Sequence, residues 1–406
     1  MKSMTGSSHF VLWVFLLTTI AHPASPACIN KCKCIWRRSY MEVSCYNYPG
    51  QRVPRSELLK LGSSSIHFHL HAPKLPYVYA GDFPPQVKIT SLRISGKYVT
   101  GYSRYAFSSI AKSLKSLDID APTFFFASPF YPVIPLNHLR SLQIRCNPYF
   151  ARDFIIYTRF LRPPVTNSLR ELILDDCRII SFADWVFKGL HLTKFSLRYN
   201  SIPKVPLPLR SMPLKKLDLS SNKLTCLTPH RFPPNLTSLN LSYNNISFVE
   251  PGVFWYLPHL TNIDLSYNRF LYLFPREFDR VKAGLINLAY TGLIGLDSCV
   301  TAPGSSAYLL FKGTPLPCGC ELRGFLEHSA TRIGGECVDA FGVKFKLYTY
   351  EFWHQIHKYE CRPYKRTSWY LAVQRLRASR GSAWCPETRR QPHFRGTVPP
   401  HLDLEP

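Results

Sequence analysis

Acidic residues are scarce in this chain. Its 406 residues carry 25 Asp and Glu against 50 Lys and Arg, a formal net charge of +25. That balance argues against basic partners and favours acidic ones: sulfated glycans, anionic membranes, nucleic acid or acidic proteins. Long apolar runs are also missing. The run Phe10 to Ala21, "FVLWVFLLTTIA", holds twelve residues, whereas crossing a bilayer takes about 20. It follows Lys2 and precedes the small-residue stretch "PASPA", which is the pattern of a secretory signal cleaved near Ala24 or Ala27. No later stretch is long and apolar enough to span a membrane, and the end, "GTVPPHLDLEP", lacks a lipid-anchor tail. Catalytic signatures are absent as well: no G-x-S-x-G, no H-E-x-x-H and no phosphate-binding glycine loop. The expectation is a secreted, extracellular protein that is not an enzyme, with no cofactor, no metal and no small-molecule substrate.

Cysteine, by contrast, is plentiful. Thirteen cysteines in an exported chain point to disulfides. One group, "CINKCKCIWRRSYMEVSC", holds Cys28, Cys32, Cys34 and Cys45; a second holds Cys318, Cys320, Cys337 and Cys361. Three Asn-x-Ser/Thr sequons, at Asn235, Asn240 and Asn245, fit the same compartment.

Between the cysteine groups one template recurs: "LTKFSLRYNSI" from Leu192, "LKKLDLSSNKL" from Leu214, "LTSLNLSYNNI" from Leu236 and "LTNIDLSYNRF" from Leu260. "LRELILDDCRI" from Leu169 matches with Cys177 in place of Asn, and looser copies start at Ile89, Leu114, Leu139 and Ala283. The starts lie 22 to 30 residues apart, which is the L-x-x-L-x-L-x-x-N/C-x-L repeat at its usual period. Positions 4 and 6 alternate as in a strand, so Leu239 and Leu241 point inward with Leu236 and Ile246. No single repeat buries that face alone, and stacking builds one parallel sheet over a shared core. Asn200, Asn222, Asn244 and Asn268 stand where the chain leaves the strand and pair with backbone groups. Outer segments such as "VPLPLRSMP" are proline-rich, which suppresses regular helix.

Repeats need caps, and the cysteine groups lie where caps belong. The chain resembles extracellular leucine-rich repeat proteins with cysteine-rich flanks, namely Toll-like receptor ectodomains, small leucine-rich proteoglycans, Slit and the Nogo receptor. "CINKCKC…VSC" resembles their N-terminal cap and "PLPCGCELRGFLEH…C…C" their C-terminal cap, so the likeness runs from Cys28 to Cys361. "GTPLP" departs from the family's Asn-Pro before the second cap. The resemblance implies bridges Cys28–Cys34, Cys32–Cys45, Cys318–Cys337 and Cys320–Cys361. The expected fold is an α/β solenoid of mostly strand and irregular segments: a curved leucine-rich repeat horseshoe with a parallel concave sheet and disulfide caps. The expected divisions are a signal peptide at 1–27, an N-terminal cap at 28–62, about nine repeats over 63–298, a C-terminal cap at 299–361 and a basic tail at 362–406.

Positions 2, 3, 5, 7 and 8 are left facing the concave side. Position 8 holds Tyr199, Tyr243, Tyr267 and Tyr290, with Ser221 interrupting. An exposed tyrosine column reads either as a contact surface or as a residue tolerated at an edge. The concave positions carry nine basic residues (Arg93, Lys115, Arg140, Arg145, Arg170, Lys194, Arg198, Lys215, Lys216) against seven acidic ones (Asp118, Asp120, Glu171, Asp175, Asp176, Asp218, Asp264). With so small an excess the inner face does not read as a polyanion groove, and the positive charge falls to rims, caps and tail. The tail holds Lys365, Arg366, Arg375, Arg377, Arg380, Arg389 and Arg390. It reads either as an arm for heparan sulfate or another polyanion, or as a solvated terminus.

Smaller features complete the reading. A glycan on Asn240, at position 5, would block part of the inner face. In "IHFHLHAPK", His67, His69 and His71 share one strand face while Ile66, Phe68 and Leu70 pack inward; three histidines along a strand spread too far to hold one metal ion. The long gap from Leu139 to Leu169 holds "YFARDFIIYTRFLRPP", which reads equally as a binding loop or as packing. Of the remaining cysteines, Cys177 reads as a buried free thiol, Cys299 and Cys385 can tether the tail, and Cys146 and Cys226 stay unassigned. An odd count leaves a thiol, so a covalent dimer through Cys385 is open. The resemblance implies a recognition protein that binds an extracellular protein or glycoconjugate on its concave face or rim, in adhesion, signalling or innate immunity. Two alternatives stand beside it: a matrix component holding sulfated glycans through basic rims and tail, and a soluble or truncated form of a Toll-like receptor ectodomain.

Overall fold

The repeat dictates where the chain can go. Each template copy carries four inward apolar side chains that must be covered by the copies before and after it. The computed structural model describes residues 28–357 apart from short stretches, the longest being 122–135, 147–152, 157–167 and 295–305. Expectations on the signal peptide, the tail, Cys299, Cys320, Cys361 and Cys385 lie outside the described residues. Among those described, fifteen strands form one sheet in chain order. It begins with an antiparallel pair, Lys33–Trp36 on Met41–Cys45, and ends with another, Arg332–Val338 on Lys344–Lys346. Every pairing between them is parallel.

Register across the stack is strict. Leu217 pairs with Leu239 and Leu239 with Ile263, so position 4 of each turn lies beside position 4 of the next. The template residues Leu236, Leu239, Leu241 and Ile246, with their counterparts in neighbouring turns, are fully buried. Behind the sheet the outer segments form short parallel pairs, among them Cys226–Leu227 with Phe248–Val249, rather than regular helix. The sheet also runs on past the ninth repeat. Ser306–Phe311 pairs in parallel with Ala283–Asn287, and Arg332–Val338 pairs with it in turn, within the span read as the C-terminal cap. In the long insert, Phe154–Ile156 lies parallel to Ile179–Phe182 with Ile156 buried, so this described part packs against the outer side of the solenoid.

An asparagine ladder closes the central turns. Asn222 Oδ1 accepts from Ile202 N at 3.1 Å, and its Nδ2 donates to the carbonyls of Leu197 at 2.9 Å and Leu219 at 3.1 Å. Asn200, Asn244 and Asn268 repeat that pattern one turn back or further on. In the last two turns, Thr291 and Thr314 stand in, both hydroxyls donating to Leu288 O.

Four disulfides are described: Cys28–Cys34, Cys32–Cys45, Cys146–Cys177 and Cys318–Cys337, with S–S distances from 1.97 to 2.08 Å. The third corrects the expectation that Cys177 is a free thiol. Cys177 occupies an asparagine position, and Cys146 ends the strand Ser141–Cys146 one turn earlier. Stacking brings them within 4.8 Å Cα to Cα although 31 residues separate them in sequence. Cys226 is disulfide-bonded as well.

One buried charge stands apart from the repeat logic. Glu277, 1% exposed, accepts backbone N–H bonds from Gly252 at 3.0 Å and Phe254 at 3.1 Å in the preceding outer turn. Burial raises its carboxyl from 4.5 to about 7. The folded state therefore holds this proton more tightly than the unfolded chain. The contribution favours folding fully below about 4.5 and is lost as pH rises through about 7, on the order of 3 kcal/mol in all. Thermal unfolding from pH 4 to 8 should show this loss in the native chain and a flatter profile in Glu277→Gln. Replacing Cys146 and Cys177 together by Ser should lower stability by about 3 kcal/mol in denaturant unfolding, and non-reducing peptide mapping should recover the two as one linked peptide.

Candidate functional site

The chain leaves each strand through a side-chain-fixed turn. The Asp or Asn at position 5 accepts from the backbone N–H two residues on: Asp218 from Ser220 at 2.9 Å, Asn240 from Ser242 at 3.0 Å, Asp264 from Ser266 at 2.9 Å and Asn287 from Ala289 at 3.1 Å. The serine hydroxyls donate to the same oxygens. With position 9 pinned by the asparagine ladder, position 8 between them is forced into the left-handed region. Tyr199, Ser221, Tyr243, Tyr267 and Tyr290 all have φ between 54° and 56°. This places the position 8 side chain on the outside of the turn.

Tyrosine is an expensive choice there. Left-handed backbone favours Gly and Asn, and a bulky residue in it carries strain. Yet Tyr243 stacks on Tyr267 with centroids 4.1 Å apart and Tyr267 on Tyr290 at 4.6 Å, with interplanar angles of 11° and 17°. The hydrogen bond that the Tyr267 hydroxyl donates to Tyr243 is the first reason it sits above its ordinary pKa. Beyond Tyr290 the same position is Gly313, at φ 67°; a Cβ there would lie 2.3 Å from the Tyr290 ring, so the ring lies across the glycine. The rings stay 40–55% exposed. Tyr199, beyond the gap at Ser221, has the Arg198 guanidinium 5.9 Å from its ring centre. The predicted column is thus a stacked ridge of three rings plus one separate ring.

Two further residues join this end of the concave face. Leu285 and Tyr308 are register partners on adjacent strands and each is 40% exposed. Sequence reasoning missed both, because Leu285 sits in a worn repeat and Tyr308 in the span assigned to a cap. Their signal was position 3 of the template, visible only once the extra turn is seen. Gly334 lies against Tyr308, and a Cβ there would sit 1.8 Å from its hydroxyl.

At the N-terminal end the inner face is charged but neutralised. Arg145 bridges Asp118 and Asp120 at 2.7 Å each, and Arg93 joins Asp118 at 3.2 Å. Burial pulls the Arg145 guanidinium down, and the two carboxylates more than offset it, leaving its pKa raised. Lys194 pairs with Glu171, and Arg198 with Asp175 at 3.0 Å. His67, His69 and His71 share one face as predicted, with Ile66, Phe68 and Leu70 buried beneath. Their partners are rings and a hydroxyl: His67 stacks on Tyr40 at 3.7 Å, His69 meets Tyr46 edge-on at 5.6 Å, and His71 Nδ1 is 3.0 Å from Ser95 Oγ. Desolvation lowers the pKa of His67 and, aided by Arg93, of His69. No group of three potential ligands that could hold a metal ion occurs among the described residues. Asn235 and Asn245 are exposed, while Asn240 is half-buried, its Nδ2 3.4 Å from Asp218 Oδ2.

Among the described residues, no helix is long and apolar enough to cross a membrane. Residues 213–270 match the family model described as leucine rich repeat. No curated protein matches the chain. Among solved structures, a leucine-rich repeat protein of Leptospira interrogans is similar over 73% of this chain and 72% of its own, at 18% identity and a TM-score of 0.50. An internalin of Listeria monocytogenes (15% identity, TM-score 0.46, covering 73% of this chain and 82% of its own) is also similar. So is a chain of the Toll–Spatzle complex of Drosophila (12%, 0.46, covering 72% and 51%). The chain therefore has the fold of leucine-rich repeat proteins.

Proposed function

We propose that this is a secreted recognition protein that holds an extracellular protein or glycoconjugate ligand against the ridge of Tyr243, Tyr267 and Tyr290 and the neighbouring Leu285–Tyr308 patch. The observation that carries this reading is the ridge itself. Three tyrosines occupy a left-handed position where Asn or Gly costs less, and their rings remain half in water. Core packing gives no reason for them, whereas a contact surface does, since Tyr supplies large area and a polar end at low entropic cost. The disulfides and sequons support an oxidising, secretory setting. The ion-paired N-terminal half of the inner face offers a partner little net charge, which favours the aromatic end. Glycans on the exposed Asn235 and Asn245 would border that contact and limit how a partner approaches it.

The test is a triple variant, Tyr243→Asn, Tyr267→Asn and Tyr290→Asn, compared with native protein for capture of extracellular proteins at 0.5 M salt. Losing ring stacking and relieving left-handed strain offset each other, so the unfolding free energy should change by no more than about 1 kcal/mol. Capture should fall at least about tenfold, the scale of one strong aromatic anchor. Equal capture by a folded triple variant would sink the reading.

A further inference from the structure

The nine concave basic residues do not form one population. Arg93, Arg145, Lys194 and Arg198 all pair with carboxylates on the inner face. Lys115, Arg140, Lys215 and Lys216 are exposed, and among the described residues none of them takes part in an ion pair. Those four share an address. Lys115, Arg140 and Lys215 occupy position 2, the residue just before the strand proper, and Lys216 follows at position 3. Arg170, also exposed, holds position 2 between them.

Backbone hydrogen bonds run straight along this line. Arg140 N donates to Lys115 O at 2.8 Å, Arg170 N to Arg140 O at 2.9 Å, Thr193 N to Arg170 O at 2.8 Å and Lys215 N to Thr193 O at 2.8 Å. Lys115, Arg140 and Arg170 therefore stand on adjacent rungs about 4.8 Å apart, Thr193 takes the next rung and Lys215 follows it, a line of about 19 Å in all. The acids that neutralise the inner face are further along each strand, at positions 3, 5 and 7. Past Lys216 the next rungs carry Thr237 and Thr261, and the exposed sequon Asn235 lies at the end of the line.

We propose that this leading edge of the sheet is a binding site for a linear sulfated glycan laid across the strands, its sulfates meeting Lys115, Arg140, Lys215 and Lys216 in turn. Four unpaired cations, Lys115, Arg140, Lys215 and Lys216, spread along about 19 Å match a linear polyanion and not a compact anion. Nucleic acid is the other linear polyanion, but the line carries no aromatic residue for bases to stack on; the tyrosines stand six residues further along each turn. The site is separate from the tyrosine ridge and does not depend on it.

Heparin is the probe. The full-length protein and a variant combining Lys115→Gln, Arg140→Gln, Lys215→Gln and Lys216→Gln are eluted from immobilised heparin with salt. Loss of four charge contacts should lower affinity at 0.15 M salt at least about tenfold and flatten the salt dependence. A control variant with Lys33, Arg38, Lys60 and Lys344, all exposed and off the line, changed to Gln has the same net charge and should elute close to native. Matching thermal unfolding of the two variants excludes misfolding. The ridge variant Tyr243→Asn, Tyr267→Asn, Tyr290→Asn should elute with native protein, which separates this site from the recognition surface. Equal shifts in the edge and control variants would show that retention follows net charge and would overturn the site. Tighter, edge-dependent retention on single-stranded DNA than on heparin would reassign it to nucleic acid.

Discussion

The turns of this solenoid fold backbone N–H and carbonyl groups into an apolar interior, and over the central repeats the position 9 asparagines Asn200, Asn222, Asn244 and Asn268 satisfy them. One side chain answers donors and acceptors in two neighbouring turns at once: Asn222 reaches Ile202 N and Leu197 O behind it as well as Leu219 O in its own turn. Leaving such groups unpaired costs about 1–3 kcal/mol apiece, so leucine burial alone could not hold this shape. Where asparagine gives out, Thr291 and Thr314 meet on the shared acceptor Leu288 O.

That constraint also sets the surface. Pinning position 9 while an Asp or Asn at position 5 holds position 7 leaves position 8 in left-handed backbone, pointing outward. The tyrosine ridge thus stands on a turn made rigid by core requirements. Its spacing, 4.1 and 4.6 Å between rings, is the strand spacing of the sheet passed on to the side chains. Rings presented this way lose little freedom when a partner covers them, which suits a preorganised contact.

Charge is sorted by the same stacking. Acids sit at positions 3, 5 and 7 of several turns, and register brings bases from adjacent turns onto them, as in Arg145 with Asp118 and Asp120. At position 2, Lys115, Arg140 and Lys215 form no ion pair among the described residues. The interior face therefore becomes a lattice of pairs while one edge keeps its positive charge.

The sequence by itself determined the solenoid, the identity of the buried leucines, the asparagine ladder and the exposure of position 8, because each follows from a period short enough to read along the chain. His67, His69 and His71 on one face were legible for the same reason, through strand alternation. What the tertiary structure alone decided are contacts between turns: the Cys146–Cys177 bridge, the stacking of three tyrosines, the Leu285–Tyr308 neighbourhood and the division of one basic population into paired and unpaired members. These depend on register across 22 to 31 residues, including an insert and worn repeats. A local pattern fixes which face a residue takes, but only the stacked chain fixes which residue stands beside it.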